Sequence, residues 1–169
     1  YFTDPVDEFS ITMMHQFEEH EFKNITNSDL DLDSDEEKKE REEKTEENKD
    51  MLALMKEALR DNVKDVRISS RLKDDPVCLV ADAGMSLEME KILSQDPANS
   101  GMKASKILEI NADHPIFATL EKLFKENPDT VKEYASVLYD QALLIQGLEI
   151  KDPVEYAKKI TSLMIQAAK

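Results

Sequence analysis

Few residues in this chain could do bond-making chemistry. The three glycines, Gly84, Gly101 and Gly147, lie far apart, and neither a phosphate-cradling loop nor a dinucleotide-binding turn can be assembled from glycines so spaced. His15, His20 and His114 are not set at a metal-ligand interval with a cysteine or carboxylate partner. Cys78 falls in an alternating stretch, where cysteine is far more often a small packed strand residue than a nucleophile. There is no Gly-x-Ser-x-Gly elbow. The acids of residues 35–50 do not follow an oxygen-ligand loop with its turn glycine. No catalytic, cofactor-binding or metal-binding residue is predicted.

What remains is apolar recognition. Met85, Met89, Ile92 and Leu93 recur at helical spacing, with Met102 nearby in a loop. Such a stripe commonly covers a sheet. Thioether side chains are also flexible and polarizable, suited to repacking against varied apolar partners. The stripe is short, a loop flanks it, and other helices are available to cover the sheet. Both uses stay open on the residues alone.

A second excess of apolar surface lies in residues 127–169, where two helices have marked ends. Asn127-Pro128 opens the first, with an N-cap and a proline suited to the first helical position. Its stripe is Val131, Tyr134, Ala135, Leu138, Ala142 and Ile145, and Gly147 ends it. Asp152-Pro153 opens the second, with Glu155 at the capping-box position. Its stripe is Val154, Ala157, Ile160, Leu163, Met164 and Ala167. Val137, Tyr139, Leu143, Leu144 and Leu148 lie outside the first stripe, so this helix is apolar over more than one face. Two such hairpins about a two-fold axis would form a four-helix bundle. Large exposed apolar patches are rare on monomers, which favours a homodimer over simple packing within the domain.

The upstream chain must position these segments. Residues 1–33 read as a helix and a weak strand, too little to bury a core alone and so the tail of a preceding domain. The chain starts with Tyr1, which fits a piece of a longer protein. Residues 35–50 are almost all charged, but opposite signs fall four apart (Glu37–Arg41, Lys38–Glu42, Lys39–Glu43, Glu40–Lys44) and no Gly or Pro occurs between Asp35 and Val63. One long helix is predicted, solvated at its start and docked through Leu52, Met55, Leu59 and Val63. Residues 66–72 and 77–83 alternate as strands and are expected to form a hairpin, the second strand the more central. A short helix to Leu93, a loop over 95–104, a third strand over 106–112 and a helix opened by Asp113-His114-Pro115 follow. The fold class is α+β: a long charged helix leads into a three-stranded sheet with helices and ends in the helical hairpin.

Net charge is −15, yet residues 51–169 are nearly balanced, at nineteen acids and sixteen bases. No basic footprint for nucleic acid results. No uncharged run approaches a membrane span. The single cysteine fits a reducing compartment, with the cytosol as default.

Several motifs, in order, resemble the ninety-kilodalton heat-shock chaperones. Tyr1-Phe2-Thr3-Asp4-Pro5-Val6-Asp7-Glu8-Phe9 is similar to a segment late in their middle domain. Val63-Lys64-Asp65-Val66-Arg67, Ser70-Arg71-Leu72 and Asp75-Pro76 look like the start of their C-terminal domain. Asp82-Ala83-Gly84-Met85-Ser86, Leu108-Glu109-Ile110-Asn111-Ala112-Asp113-His114-Pro115, Asp140-Gln141-Ala142-Leu143-Leu144 and Asp152-Pro153 continue the match. The resemblance implies a middle-domain remnant at 1–33, a charged connecting helix at 34–62 and a dimerisation domain at 63–169, whose last helices form an intersubunit bundle. That interface would use Val131, Tyr134, Ala135, Leu138, Ala142, Ile145, Ala157, Ile160, Leu163 and Met164. The resemblance also implies that Met85, Met89, Ile92 and Leu93, with Phe9, contact unfolded or partly folded client proteins. ATP and magnesium would belong to other parts of the parent chaperone, so this stretch is expected to be no enzyme. The chain closes on Ile165-Gln166-Ala167-Ala168-Lys169 without the acidic tail of the eukaryotic cytosolic members, which points to the bacterial branch. A dimeric scaffold or adaptor without a client surface is the rival.

Overall fold

The computed structural model describes residues 7–14, 16–22, 34–82, 84–95 and 101–168. In chain order its elements are α1 (Asp7–Met14), β1 (Gln16–Phe17), β2 (His20–Glu21), α2 (Asp35–Glu47), α3 (Lys49–Ala58), β3 (Asp65–Ile68), β4 (Val77–Ala81), α4 (Leu87–Ser94), β5 (Lys106–Ile110), α5 (Pro115–Glu126), α6 (Pro128–Gln146) and α7 (Pro153–Ala167). They group into two compact units, Tyr1–Leu30 with Ala81–Ser105, and Asp31–Val80 with Lys106–Lys169.

In the first unit, β1 and β2 form a two-residue antiparallel ribbon pairing Phe17 with His20. Glu18 and Glu19 make its turn, both at positive φ. Ser86 caps α4, its Oγ accepting from the Met89 amide at 3.0 Å.

In the second unit, Ser34 starts α2 with a capping box. Its Oγ accepts from the Glu37 amide, and its own amide donates to Glu37 Oε2 at 2.8 Å. The Ser34 hydroxyl also donates to Glu37 Oε2 at 2.7 Å, and this bond, with that of the Ser34 amide, holds the Glu37 carboxyl below its usual range. No residue of α2 is buried. The single helix expected from residue 35 to Val63 is instead two. Asn48 departs from helical geometry (φ −107, ψ 13), and its Nδ2 donates back to the Lys44 carbonyl at 3.1 Å. Such a side-chain bond competes with the helical ladder. α3 then buries Met51, Leu52 and Met55, and the chain turns at Leu59, whose carbonyl accepts from Asn62 and Val63.

The expected hairpin of residues 66–72 and 77–83 does not form. The sheet order is β3-β5-β4, and β3 runs parallel to β5 with Val66 beside Leu108 and Ile68 beside Ile110. The Asn111 amide donates to Pro76 O at 2.9 Å and the Asp82 amide to Ser105 O at 2.8 Å, so β4 runs antiparallel to β5. Every residue of β5 is buried, which suits it to the centre. The Asn111 side chain donates to the carbonyls of Lys73 and Asp75, holding the long β3–β4 connection at the end of β5.

α5 is capped by His114, whose Nδ1 accepts from the Ile116 amide at 3.2 Å. α6 packs on both α3 and α5 and buries Val131, Ala135, Val137, Leu138, Tyr139, Ala142 and Leu143. It ends as expected at Gly147 (φ 72). Leu148 N–H bonds Leu143 O and Gly147 N–H bonds Leu144 O, the Schellman arrangement. Asp152 caps α7, its Oδ1 accepting from the Glu155 amide at 2.9 Å. α7 lies against α6.

Candidate functional site

The one cysteine is chemically quiet. Burial pushes the Cys78 thiol up to about 12, and the nearby Glu109 carboxylate adds to the shift. A thiol so placed stays protonated at neutral pH and is no nucleophile. Its Sγ lies 3.7 Å from Glu109 Oε2. Glu109 is itself 1 % exposed and sits among charges. Arg67 reaches its Oε1 through Nη2 at 2.6 Å and Nε at 3.1 Å, Arg71 Nε lies 3.1 Å from Oε2, and Ser69 Oγ donates to Oε2 at 2.9 Å. Two arginines around one buried carboxylate hold the β3–β5 pair in register. This cluster was not foreseen. Arg67, Ser69 and Arg71 do share one side of the alternation, but only the register that sets Arg67 beside Glu109 shows that this side is not solvated.

A polar cleft of about 390 Å³ opens in the same unit. Its lining mixes Glu37, Glu40 and Asp113 with Arg41, Lys44, Arg71 and Lys73; Lys44 pairs with Asp113 at 2.7 Å, and Arg71 Nε lies 3.1 Å from Glu109 Oε2. Among the described residues no three His, Cys, Asp or Glu side chains group as a metal site.

On α4 the buried residues are Leu87 and Glu90, 1 % and 8 % exposed. At roughly 100° per residue, Met89 and Ile92 fall on the opposite side of the helix from that pair, while Leu93 lies one turn on from Glu90, at the edge of the buried side. All three, and Met85 before the helix, are partly buried and keep some surface in solvent. Met102 is 53 % exposed. Phe9 falls in α1, but its side chain lies outside the described residues.

The residues expected at a dimer interface divide. Val131, Ala135, Leu138 and Ala142 are buried within the single chain, in the α3–α5–α6 core. Tyr134, Ile160 and Leu163 are partly buried, whereas Ile145, Ala157 and Met164 are exposed. No residue of α7 is buried. Leu144, Val154 and Ile165 are also exposed and join Ile145 and Met164 as large apolar side chains in water. The hairpin is tied by Lys159 Nζ to Ser136 Oγ at 2.9 Å. Nearby, burial raises the Asp140 carboxyl above its usual range against the pull of Lys159.

The family model for Hsp90 protein matches residues 1–169. The chain belongs to the Hsp90 family. It is 52% identical over 164 residues to the chaperone protein HtpG of Clostridium acetobutylicum, covering 97% of this chain and 26% of the relative. It is 47% identical over 165 residues to HtpG of Bacillus subtilis, at 98% and 26% coverage. HtpG of Alkaliphilus metalliredigens is 50% identical over 164 residues, at 97% and 26%. The chain thus spans about a quarter of the length of the curated relatives it matches. Within this Hsp90 chain no described helix is long and apolar enough to cross a membrane.

Proposed function

We propose that this chain is the self-associating and client-contacting part of an ATP-dependent chaperone that binds unfolded or partly folded proteins. The reading keeps residues 1–33 as the end of a middle domain, 34–62 as the connecting segment and 63–169 as a dimerisation domain of a cytoplasmic protein. ATP and magnesium act elsewhere in the parent, and this part hydrolyses nothing. The observation that carries the reading is α7, a capped helix with no buried residue and with Val154, Met164 and Ile165 in solvent, as are Leu144 and Ile145 of α6. A patch of this kind needs a cover. The isologous cover is a second copy, which closes four helices about a two-fold axis. Tyr134, Ile145, Ala157, Ile160, Leu163 and Met164 then supply the seam, with Leu144, Val154 and Ile165 added. Val131, Ala135, Leu138 and Ala142 stiffen it from behind.

The client surface in this reading is Met85, Met89, Ile92 and Leu93, supported by the place of Met89 and Ile92 on α4 opposite its buried pair and by the surface all four keep in solvent. The rival, a dimeric scaffold with no client surface, draws on the partial burial of that stripe. Replacing Met85 and Met89 by Ser separates them. Weaker suppression of client aggregation with an unchanged melt supports the client surface. A stability loss of about 2–5 kcal/mol, as for core truncations, supports the scaffold.

A further inference from the structure

Helix α2 has no hydrophobic means of staying where it lies. Twelve of its thirteen residues are charged, the other is Thr45, and none is buried. It nevertheless lies against β3, and Lys44 Nζ bonds Asp113 Oδ1 at 2.7 Å across sixty-nine positions of chain. The cleft of about 390 Å³ lies between α2 and a wall made by residues 68–73 and 111–113. Helix and wall therefore meet through charged groups rather than through packed apolar surface. The wall is braced by its own bonds. Ser69 Oγ accepts from the Arg71 and Leu72 amides at 3.1 and 3.2 Å and donates to Glu109. Asn111 Oδ1 accepts from the Asp113 amide at 3.0 Å, which fixes the partner of Lys44.

The other end of α2 is a joint. Asn48 leaves helical geometry, and the side chains of Asn48 and Thr45 turn back to the carbonyls of Lys44 and Arg41, bonds of the kind that bend a helix. Beyond it α3 is fixed by apolar burial that starts at Met51, 1 % exposed. The Lys44–Asp113 pair has side chains 41 % and 84 % exposed. Ion pairs so placed are weak and are screened by salt, whereas apolar burial is not.

We propose that α2 is a strap held by charge: it docks over the cleft at low ionic strength through contacts such as Lys44–Asp113, is released by salt, and pivots at Asn48 while α3 stays in place. The segment leading into α3 thus has two positions, chosen by ionic strength, whatever covers α7 or α4.

The test uses the 169-residue chain with Cys78→Ser and spin labels on Lys39→Cys and Ala118→Cys, both exposed positions. An excess of unlabelled chain confines the reading to distances within one chain. At about 20 mM salt, where screening reaches roughly 20 Å, one narrow distance is expected; at about 1 M, where it reaches roughly 3 Å, a longer and broader population should appear. Hydrogen exchange on the unsubstituted chain gives the same reading without labels: α2 amides should speed up with salt while those of Met51, Leu52 and Met55 stay slow. At low salt K44E and D113K should each lower the docked-to-released ratio by about fivefold, and the K44E/D113K double variant, with the pair turned round, should restore it. Asn48→Ala removes the back-bond and favours an unbroken helix, so it should narrow the released population. A distance and exchange pattern unchanged at about 1 M salt would overturn the strap. A double variant no better docked than the single ones would overturn the Lys44–Asp113 hold, and a released population equally broad in Asn48→Ala would overturn the pivot.

Discussion

Helices α6 and α7 open with the same device, an Asx residue followed by a proline at the first helical position, and both carry apolar residues on more than a narrow stripe. α6 buries seven of its residues against α3 and α5, while α7 buries none. Equal apolarity in the sequence thus serves two different ends. In α6 most of it builds the chain's own core, and only Leu144 and Ile145 are left over. In α7 Val154, Met164 and Ile165 stay exposed among the described residues. The hairpin is therefore one anchored helix carrying one exposed helix, and in the proposed dimer association needs both.

The sharpest way to break that comparison is to cut the chain on either side of α6. Ending it at Asn127 removes the helix that α3 and α5 pack on, so cooperative unfolding of the second unit should be lost. Ending it after Leu148 should keep the melt and abolish association. A chain cut at Asn127 that still melts cooperatively would show that α6 is no core element. Next in size, Leu138→Ala should lower stability by about 2–5 kcal/mol in a denaturant titration. Met164→Ala, measured dilute, should stay within about 0.5 kcal/mol. Similar losses at both positions would erase the distinction. Ile145→Asp with Ile165→Asp should weaken association on the order of 100-fold or more by burying unpaired charge, with no change in the dilute melt.

The smallest effect concerns Asp140, whose carboxyl burial raises above its ordinary value near 3.8. The raised group favours folding in its protonated form, so its contribution is intact at low pH and lost as pH rises through the folded value. Asp140→Asn removes that loss. The variant should melt with the wild type near about pH 3 and slightly above it near about pH 7. A wild type more stable than the variant at neutral pH would reverse the sign, and would mean that the Lys159 interaction outweighs burial.

Local signals were legible in the sequence where their physics is local. Asn127-Pro128, Gly147 and Asp152-Pro153 mark the ends of α6 and α7 because such signals depend on a few neighbouring residues, although Asn127, unlike Asp152, makes no side-chain cap bond. The Met89, Ile92, Leu93 grouping is a matter of helical spacing alone. Features set by distant pairing were not legible. β5 displaces the expected hairpin because strand order is decided by which strand is buried on both faces, and alternation in β3 and β4 cannot report that. The Glu109 cluster joins residues forty-two apart, and the bond from the Ala104 amide to Glu90 Oε2 joins residues fourteen apart. The apolar excess of α6 was visible, but its division between the chain's own core and a partner depends on where α3 and α5 lie.

The solution mass of the chain tests the central claim most directly. Sedimentation equilibrium at micromolar concentration should give twice 19.3 kDa, falling to the single-chain value for the chain ended after Leu148. A mass of 19.3 kDa for the intact chain across that range would contradict the account of α7 as a helix awaiting its own copy.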